Sequence, residues 1–149
     1  MTSATLEFVK QHADLVFVYG TLRKGEVHHD LLLGTGARFE GLGCFQGRLY
    51  DLGEYPGAVP SSLASEQVIG ELYRLRDSAS SLSVLDELEE CNPAHPEVSL
   101  FLRRLTKVQR GDGSSVRAWT YLLPREPERM SPILGGDYSK RGRGSESRP

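Results

Sequence analysis

Closely spaced carboxylates in one predicted helix are the residues of this sequence best suited to acid–base chemistry. They are Asp86, Glu87, Glu89 and Glu90. A helix turns by about 100° per residue, which places Glu89 between Leu82 and Leu85 and the other three acids on the solvent-facing side. Desolvation on the apolar side raises a carboxyl pKa toward neutrality, as a general acid or base requires. The pattern predicts either a catalytic Glu89 or a structural one that an arginine or backbone amides compensate.

A strand that runs directly into a glycine turn is the second candidate. The apolar run over residues 15–19 ends at Gly20 and continues as Thr21 and Leu22. Glycine admits positive φ angles, and such a turn gathers backbone N–H groups around an anion such as a carboxylate or phosphate. An ordinary turn after a strand is the alternative. The chain has neither a G-x-x-x-x-G-K-[ST] phosphate loop nor a G-x-G-x-x-G fingerprint that opens a helix, so nucleotide binding is not predicted.

The remaining chemistry-bearing residues are interpreted as structural or surface groups. His28 and His29 adjoin Asp30, but adjacent residues on a helix do not share a face, so no metal site is predicted. Cys91 has only His95 as a nearby base and is interpreted as a buried thiol rather than a nucleophile. The basic residues near the C-terminus indicate a solubilising tail rather than a nucleic-acid arm; they are Lys140, Arg141, Arg143 and Arg148. No metal and no cofactor is expected.

Breaks marked by glycine and proline divide the chain into the elements that must position these residues. Strands are predicted at residues 15–19, 37–44, 46–52, 68–75, 100–108 and 116–123, the last two joined by a hairpin turn at residues 110–113. Residues 55–60 form a turn with extended flanks. One helix is predicted from Ser80 to about Cys91, and a short helix or turn at residues 30–33. Many short strands with few helices indicate an α+β fold, a small curled mixed β-sheet or barrel flanked by helices.

Length and composition indicate one small domain. The 149 residues are 38% hydrophobic and 26% charged, with a formal net charge of −2. We predict a polar lead-in over residues 1–14, a folded domain over residues 15–138 and a disordered tail over residues 139–149. The charge balance gives no basic field, and no apolar run approaches the ~20 residues of a membrane span, so neither nucleic-acid nor membrane partners are expected. Two cysteines and no signal-peptide pattern indicate a cytoplasmic protein.

Five separated segments of the chain form a recognisable set. They are Tyr19-Gly20-Thr21-Leu22-Arg23-Lys24-Gly25; Gly47-Arg48-Leu49-Tyr50 with Tyr55-Pro56; Leu85-Asp86-Glu87-Leu88-Glu89; Ala118-Trp119-Thr120-Tyr121; and Gly135-Gly136-Asp137-Tyr138. Together, in this order, they resemble the γ-glutamylcyclotransferase-like family, in particular its small bacterial and AIG2-like members. The resemblance covers roughly residues 15–138.

The resemblance implies a partly closed β-barrel with a cavity where the Tyr-Gly-Thr-Leu loop faces the acid of the L-D-x-x-E segment. It implies that Tyr19, Gly20, Thr21 and Leu22 bind substrate and that Glu89 is the base. The implied reaction cyclises a small γ-glutamyl amide or isopeptide to 5-oxoproline and releases an amine, without a cofactor. A non-catalytic small-ligand-binding module on the same fold is the alternative. We expect a monomer or weak dimer.

Three positions depart from the pattern of the family that the chain resembles. Relatives often have glycine after the acid, where this chain has Glu90, and then an aromatic residue, where it has Cys91. They also often have tyrosine where Phe101 lacks a hydroxyl group that could bind a substrate. These departures leave the acid in place and the identity of the released amine open.

Overall fold

The computed structural model of the protein describes residues 14–140, and within that range it contains seven strands and two α-helices. The strands are β1 (Leu15–Val18), β2 (Arg38–Asp51), β3 (Pro56–Pro60), β4 (Gln67–Arg74), β5 (Leu102–Arg110), β6 (Ser115–Leu122) and β7 (Ser131–Pro132). The helices are α1 (His29–Gly34) and α2 (Ser78–Leu88), and single 3₁₀ turns lie at Pro96–Val98 and Tyr138–Lys140. Neither α-helix of this range is long and apolar enough to cross a membrane.

The ends of the chain that were predicted as lead-in and tail fall largely outside the described residues. Of the predicted lead-in over residues 1–14, only Asp14 is described, and its carbonyl accepts a hydrogen bond from the Leu75 N–H at 2.7 Å. Of the predicted tail over residues 139–149, Ser139 and Lys140 are described and belong to the last 3₁₀ turn.

The strands form one mixed sheet that closes on itself. Their order is β3-β2-β4-β1-β6-β5, and β5 also pairs with β2, Gly43 opposite Arg110 and Cys44 opposite Gln109. This last pairing makes β2, β4, β1, β6 and β5 a small barrel. β1 is antiparallel to β4 and parallel to β6. The prediction of an α+β fold with a curled mixed sheet or barrel and flanking helices is confirmed.

Buried side chains pack against both faces of β1. Leu15 and Phe17 belong to a cluster shared by the barrel strands, whereas Val16 and Val18 belong to a cluster that includes Leu85 of α2. A strand that is buried on both faces has no solvent-facing position to fill with a polar residue. The continuous apolar run over residues 15–19 follows from this position, and it ends where the chain leaves the sheet beside α2.

β2 is one strand where the sequence predicts two. Its first part pairs with β4 up to Gln46, and its second part pairs with β3 from Gly47 onward. A Cβ atom at Gly47 would lie 2.5 Å from the Phe45 ring and 2.7 Å from the Val59 carbonyl oxygen. Glycine is therefore required where the strand changes partners, and in the sequence it resembles a break between two strands.

Candidate active site

A pocket opens where β1 ends, beside the C-terminal end of α2. Its volume is ≈ 370 Å³ with its mouth included. The residues that line it come from β1 and the loop after it, the turn before β3, the end of α2, the start of β5 and β6: Phe17, Val18, Tyr19, Gly20, Thr21, Leu22, Tyr55, Pro56, Glu89, Phe101 and Tyr121. Among these residues Glu89 carries the only charged side chain, so any charge chemistry in the pocket begins with it.

The loop after β1 brings unpaired backbone donors to this pocket. Its carbonyls are occupied, because Gly20 accepts from the Arg23 N–H at 3.0 Å and Thr21 accepts from the His28 N–H at 2.9 Å. The N–H groups of Gly20, Thr21 and Leu22 donate to no acceptor within residues 14–140. Three consecutive donors along a pocket wall are available to a carboxylate or to a developing oxyanion.

Gly20 is required for space. The φ angle of Gly20 is not positive, so the conformational freedom expected for it from the sequence is not used. A Cβ atom at this position would instead lie 2.6 Å from Cγ and 2.9 Å from Cδ of Pro56. Because Gly20 and Pro56 line the same pocket, any side chain at position 20 displaces one of its walls.

A buried ion network fixes the loop in place. The Arg23 guanidinium donates from Nε to Glu71 at 3.1 Å and from Nη1 to Asp137 at 2.7 Å. The other Glu71 oxygen accepts from the Lys24 N–H and from the Tyr73 hydroxyl, both at 2.9 Å. Arg23 and Asp137 are 114 residues apart in the chain, yet they meet with side chains mostly withdrawn from solvent. The loop donors are therefore held in position before a ligand arrives.

α2 ends earlier than the sequence predicts, at Leu88 rather than near Cys91. The Cys91 N–H donates to the Asp86 carbonyl at 2.8 Å and the Glu90 N–H donates to the Glu87 carbonyl at 3.2 Å. This pair of bonds is a Schellman cap, which places its C′ residue in the left-handed region where glycine is favoured. Glu90 takes that position with φ of 51°. The Glu89 N–H still donates to the Leu85 carbonyl at 2.9 Å, so the predicted wheel holds up to Glu89 and does not apply beyond it.

Glu89 is the C-cap residue of α2 and stands at the pocket wall. Its carboxyl group has no hydrogen bond or ion pair with any residue between 14 and 140. Desolvation by burial raises its pKa to about 7. The partial negative charge at a helix C-terminus acts in the same direction, because it disfavours the carboxylate form. A lone carboxyl group with a pKa near neutrality is suited to accept and return a proton.

The hydroxyl group of Tyr19 is committed to the fold. It donates to the Tyr121 carbonyl at 2.6 Å and accepts from the Ala58 N–H at 3.1 Å. Burial, together with the charge of Glu89, raises the pKa of this hydroxyl above its usual range. The Tyr19 hydroxyl therefore links the end of β1 to β3 and β6, and it is not available to a ligand.

Three comparisons with known proteins bear on this pocket. Residues 16–140 match the family described as gamma-glutamyl cyclotransferase, AIG2-like. The chain belongs to this family. It is 31% identical to gamma-glutamylaminecyclotransferase A of Danio rerio over 113 residues, and this alignment covers 71% of this chain and 66% of the relative. It is 33% identical over 129 residues to the gamma-glutamylcyclotransferase family protein YtfP of Escherichia coli K12, which covers 85% and 96%. A crystal structure of an AIG2-like protein from Mus musculus superposes with a TM-score of 0.64 at 28% identity, covering 77% of this chain and 80% of that one.

The family match agrees with the resemblance drawn from the sequence, and the pocket brings together the residues assigned by it. Gly20, Thr21 and Leu22 line the pocket together with Glu89, and Tyr19, which lies between β1 and the loop, lines it too. Sequence reasoning did not assign the aromatic residues Tyr55, Phe101 and Tyr121 to the site. Tyr55 and Tyr121 do lie in segments that resemble the AIG2-like family, which is the signal that could have found them.

Asp86 is the acid whose environment the sequence analysis described wrongly. The helical wheel predicts a solvated side chain, but Asp86 is only 8% exposed. Its carboxylate accepts from Arg103 Nε at 2.7 Å and Nη2 at 3.1 Å, and from the Tyr121 hydroxyl at 2.7 Å. The wheel fails because Arg103 of β5 and Tyr121 of β6 cover this side of α2. The sequence of the helix itself does not indicate that these polar partners are present.

The histidines considered for metal binding make contacts within the fold. His29 donates from Nδ1 to the Leu22 carbonyl at 2.9 Å, and its ring packs against Tyr73. Within residues 14–140, no three histidine, cysteine, aspartate or glutamate side chains come together in a way that could hold a metal ion. The His29 contact instead fastens α1 to the loop after β1 in this AIG2-like protein.

Proposed function

We propose that the protein is a γ-glutamylcyclotransferase that converts a γ-glutamyl amide into 5-oxoproline and a free amine, with Glu89 as general acid and base. The observation that carries the proposal is the Glu89 carboxyl group, which has no partner among residues 14–140 and a pKa raised to about 7. It lies in the same pocket as the loop N–H groups that are unpaired within that range. The similarity to the Danio rerio relative, a γ-glutamylaminecyclotransferase, supports a γ-glutamyl amide of an amine as the substrate class.

The nucleophile of the proposed reaction is the substrate's own α-amine. When the γ-glutamyl group folds back on itself, this nitrogen attacks the γ-carbonyl carbon and the new C–N bond closes a five-membered ring. Intramolecular reactions of this kind reach effective molarities of about 10⁵ M or more, because the reacting atoms are already held together. The pocket needs no serine or cysteine nucleophile for this step, and its main task is to hold the folded conformer.

Glu89 moves the proton that this cyclisation must transfer. The carboxylate removes a proton from the attacking α-nitrogen as the tetrahedral intermediate forms, and then returns a proton to the leaving nitrogen as the old C–N bond breaks. A group with a pKa near 7 suits both steps, since it is neither too weak a base nor too weak an acid at neutral pH. The N–H groups of Gly20, Thr21 and Leu22 hold the α-carboxylate or the developing oxyanion.

Incubation with a panel of γ-glutamyl compounds tests this function. The panel contains γ-glutamyl amides of amino acids, of a lysine side chain and of alkyl amines, and 5-oxoproline is scored by mass spectrometry. We expect 5-oxoproline from at least one class with the wild-type protein and a strong loss with Glu89→Gln. Tight binding of a γ-glutamyl compound by calorimetry, with no product formed, would instead establish the non-catalytic binding module.

A further inference from the structure

Asp86 and Glu89 are two carboxyl groups one helical turn apart, with opposite surroundings. Residues three apart on a helix lie on the same face, so both side chains reach the side of α2 that meets the sheet. Glu89 has no partner between residues 14 and 140, whereas Asp86 accepts from Tyr121 of β6 and twice from Arg103 of β5. A carboxylate that is only 8% exposed and has three charge-assisted bonds is positioned by the fold.

Tyr121 connects Asp86 with the pocket. Its ring lines the pocket beside Glu89, its hydroxyl donates to Asp86 at 2.7 Å, and its carbonyl accepts from Tyr19 at 2.6 Å. Tyr121 is thus held by two hydrogen bonds: its hydroxyl group binds Asp86 of α2, and its carbonyl group binds Tyr19 in the loop after β1. Loss of the Asp86 carboxylate removes the hydrogen bond that holds the Tyr121 hydroxyl group.

Arg103 is the cation that pairs with Asp86 in this arrangement. Its guanidinium lies 4.7 Å from the centroid of the Trp119 ring, which leaves its donor edge turned to Asp86. The charges of both Arg103 and Glu89 act on the Tyr121 hydroxyl and the Cys91 thiol, so the two charges belong to one cluster. A guanidinium that lacked a counter-ion here would draw Glu89 toward the ionised form.

We propose that Asp86 is a positioning residue of the active site, which fastens the Tyr121 wall to α2 and compensates the charge of Arg103, so that Glu89 faces the pocket without a cationic partner. The titratable groups around Glu89 from each packed element are Tyr19 of the loop after β1, Tyr55 before β3, Tyr121 of β6, the Asp86–Arg103 pair and Cys91. Arg103 carries the only positive charge in this set, so its compensation controls how readily Glu89 ionises.

A charge cycle tests this role on the whole protein without any substrate. The variants are Asp86→Asn, Arg103→Gln and the double variant, and the readout is the titration midpoint of Glu89 by ¹³C NMR of its carboxyl carbon, assigned by its loss in Glu89→Gln. We expect Asp86→Asn to lower the midpoint, by on the order of one pH unit, because the charge of Arg103 then lacks its counter-ion. Arg103→Gln raises the midpoint, and the double variant returns it close to the wild-type value.

A purely structural Asp86 gives a different result. Equal midpoints in all four proteins, accompanied by lower melting temperatures, would overturn the proposal. If Asp86→Asn does not fold, the comparison of Arg103→Gln with the double variant decides, because a higher midpoint in Arg103→Gln is expected and equal midpoints refute the role. Glu87→Gln, an exposed acid on the same helix, is the control and produces a smaller shift.

The effect of Asp86 on catalysis rests on the proposed function, whereas its effect on the ionisation of Glu89 does not. The acid limb of the pH dependence of kcat/KM, which reports the free enzyme, is expected to follow the NMR midpoint in each folded variant. If the wild-type protein forms no 5-oxoproline, the proposed function fails, yet the NMR cycle still shows whether Asp86 sets the ionisation of Glu89. The two failures are therefore distinguishable.

Discussion

Replacement of Glu89 by glutamine changes stability in a way that depends on pH. The folded protein raises the pKa of this carboxyl group from 4.5 to about 7, so between these values it binds more protons than the unfolded chain does. Its stability therefore falls as pH rises through this window. The loss of stability is absent below 4.5, the pKa in the unfolded chain, and complete above about 7, the pKa in the folded protein. At about 1.4 kcal/mol per pH unit, the penalty amounts to about 3 kcal/mol at most, less where solvent reaches the carboxylate.

Glutamine has nearly the same shape and never carries the charge. Glu89→Gln is therefore expected to match the wild-type protein in free energy of unfolding at pH 4 and to exceed it by up to about 3 kcal/mol at pH 8. Urea unfolding of both proteins at the two pH values measures this, since the other titrating groups cancel in the difference. Glu90→Gln is the matched control, because its side chain is exposed and its backbone conformation is unchanged. A Glu89→Gln protein that is less stable than the wild type at pH 8 would refute the desolvated-base reasoning.

The same substitution is expected to lower kcat by about 10²–10⁴-fold, the usual contribution of a positioned proton-transfer group. Substrate binding is expected to persist, because the loop N–H groups are untouched. In the wild-type protein kcat/KM is expected to rise with pH through about 7, as the base loses its proton. Loss of activity in Glu90→Gln with full activity in Glu89→Gln would refute the assignment of the base.

Three further substitutions test the supports of the site. Gly20→Ala is expected to cost about 1–3 kcal/mol and to weaken binding of a γ-glutamyl ligand, because the new Cβ meets Pro56; Gly34→Ala, which has open space, is the calorimetric control. Glu90→Gly is expected to stabilise the protein by about 1 kcal/mol in urea unfolding, because it relieves a left-handed residue; no gain would contradict the strain. Arg23→Met is expected to cost about 3–5 kcal/mol by leaving Glu71 and Asp137 without their cation. The more exposed Arg48→Met provides the comparison, and an equal loss in both would refute burial as the cause.

The parts of the fold that depend on local pattern could be predicted from the sequence. The apolar run that ends at Gly20 is buried on both faces, so its composition alone identifies the central strand β1. Glu89 lies next to Leu85 on the helix, so the wheel selects it as the desolvated acid. Both inferences need only the period of an element and the chemistry of its residues.

The parts that depend on partners from other strands could not be predicted. Arg103 is 17 residues from Asp86 and reaches it only because β5 crosses α2. The end of α2 was missed for a different reason. A helix that stops in a Schellman cap is usually marked by glycine, and here Glu90 fills that position, so no sequence signal marks the stop.

The contrast between Asp86 and Glu89 shows what divides structure from chemistry on one helix. Their spacing of three places both carboxyl groups on the same face, so helix geometry gives each the same opportunity to pair. Of the two, only Asp86 meets a guanidinium and a phenol, which hold its carboxylate in place. Glu89 lies one turn further along, where the chain leaves the helix. The pocket around it is lined by aromatic side chains and by the loop that carries the unpaired N–H groups. Among residues 14–140 no cationic side chain lines the pocket, so the charge of Glu89 is left for a ligand. Desolvation by burial raises its pKa to about 7, where proton transfer is efficient.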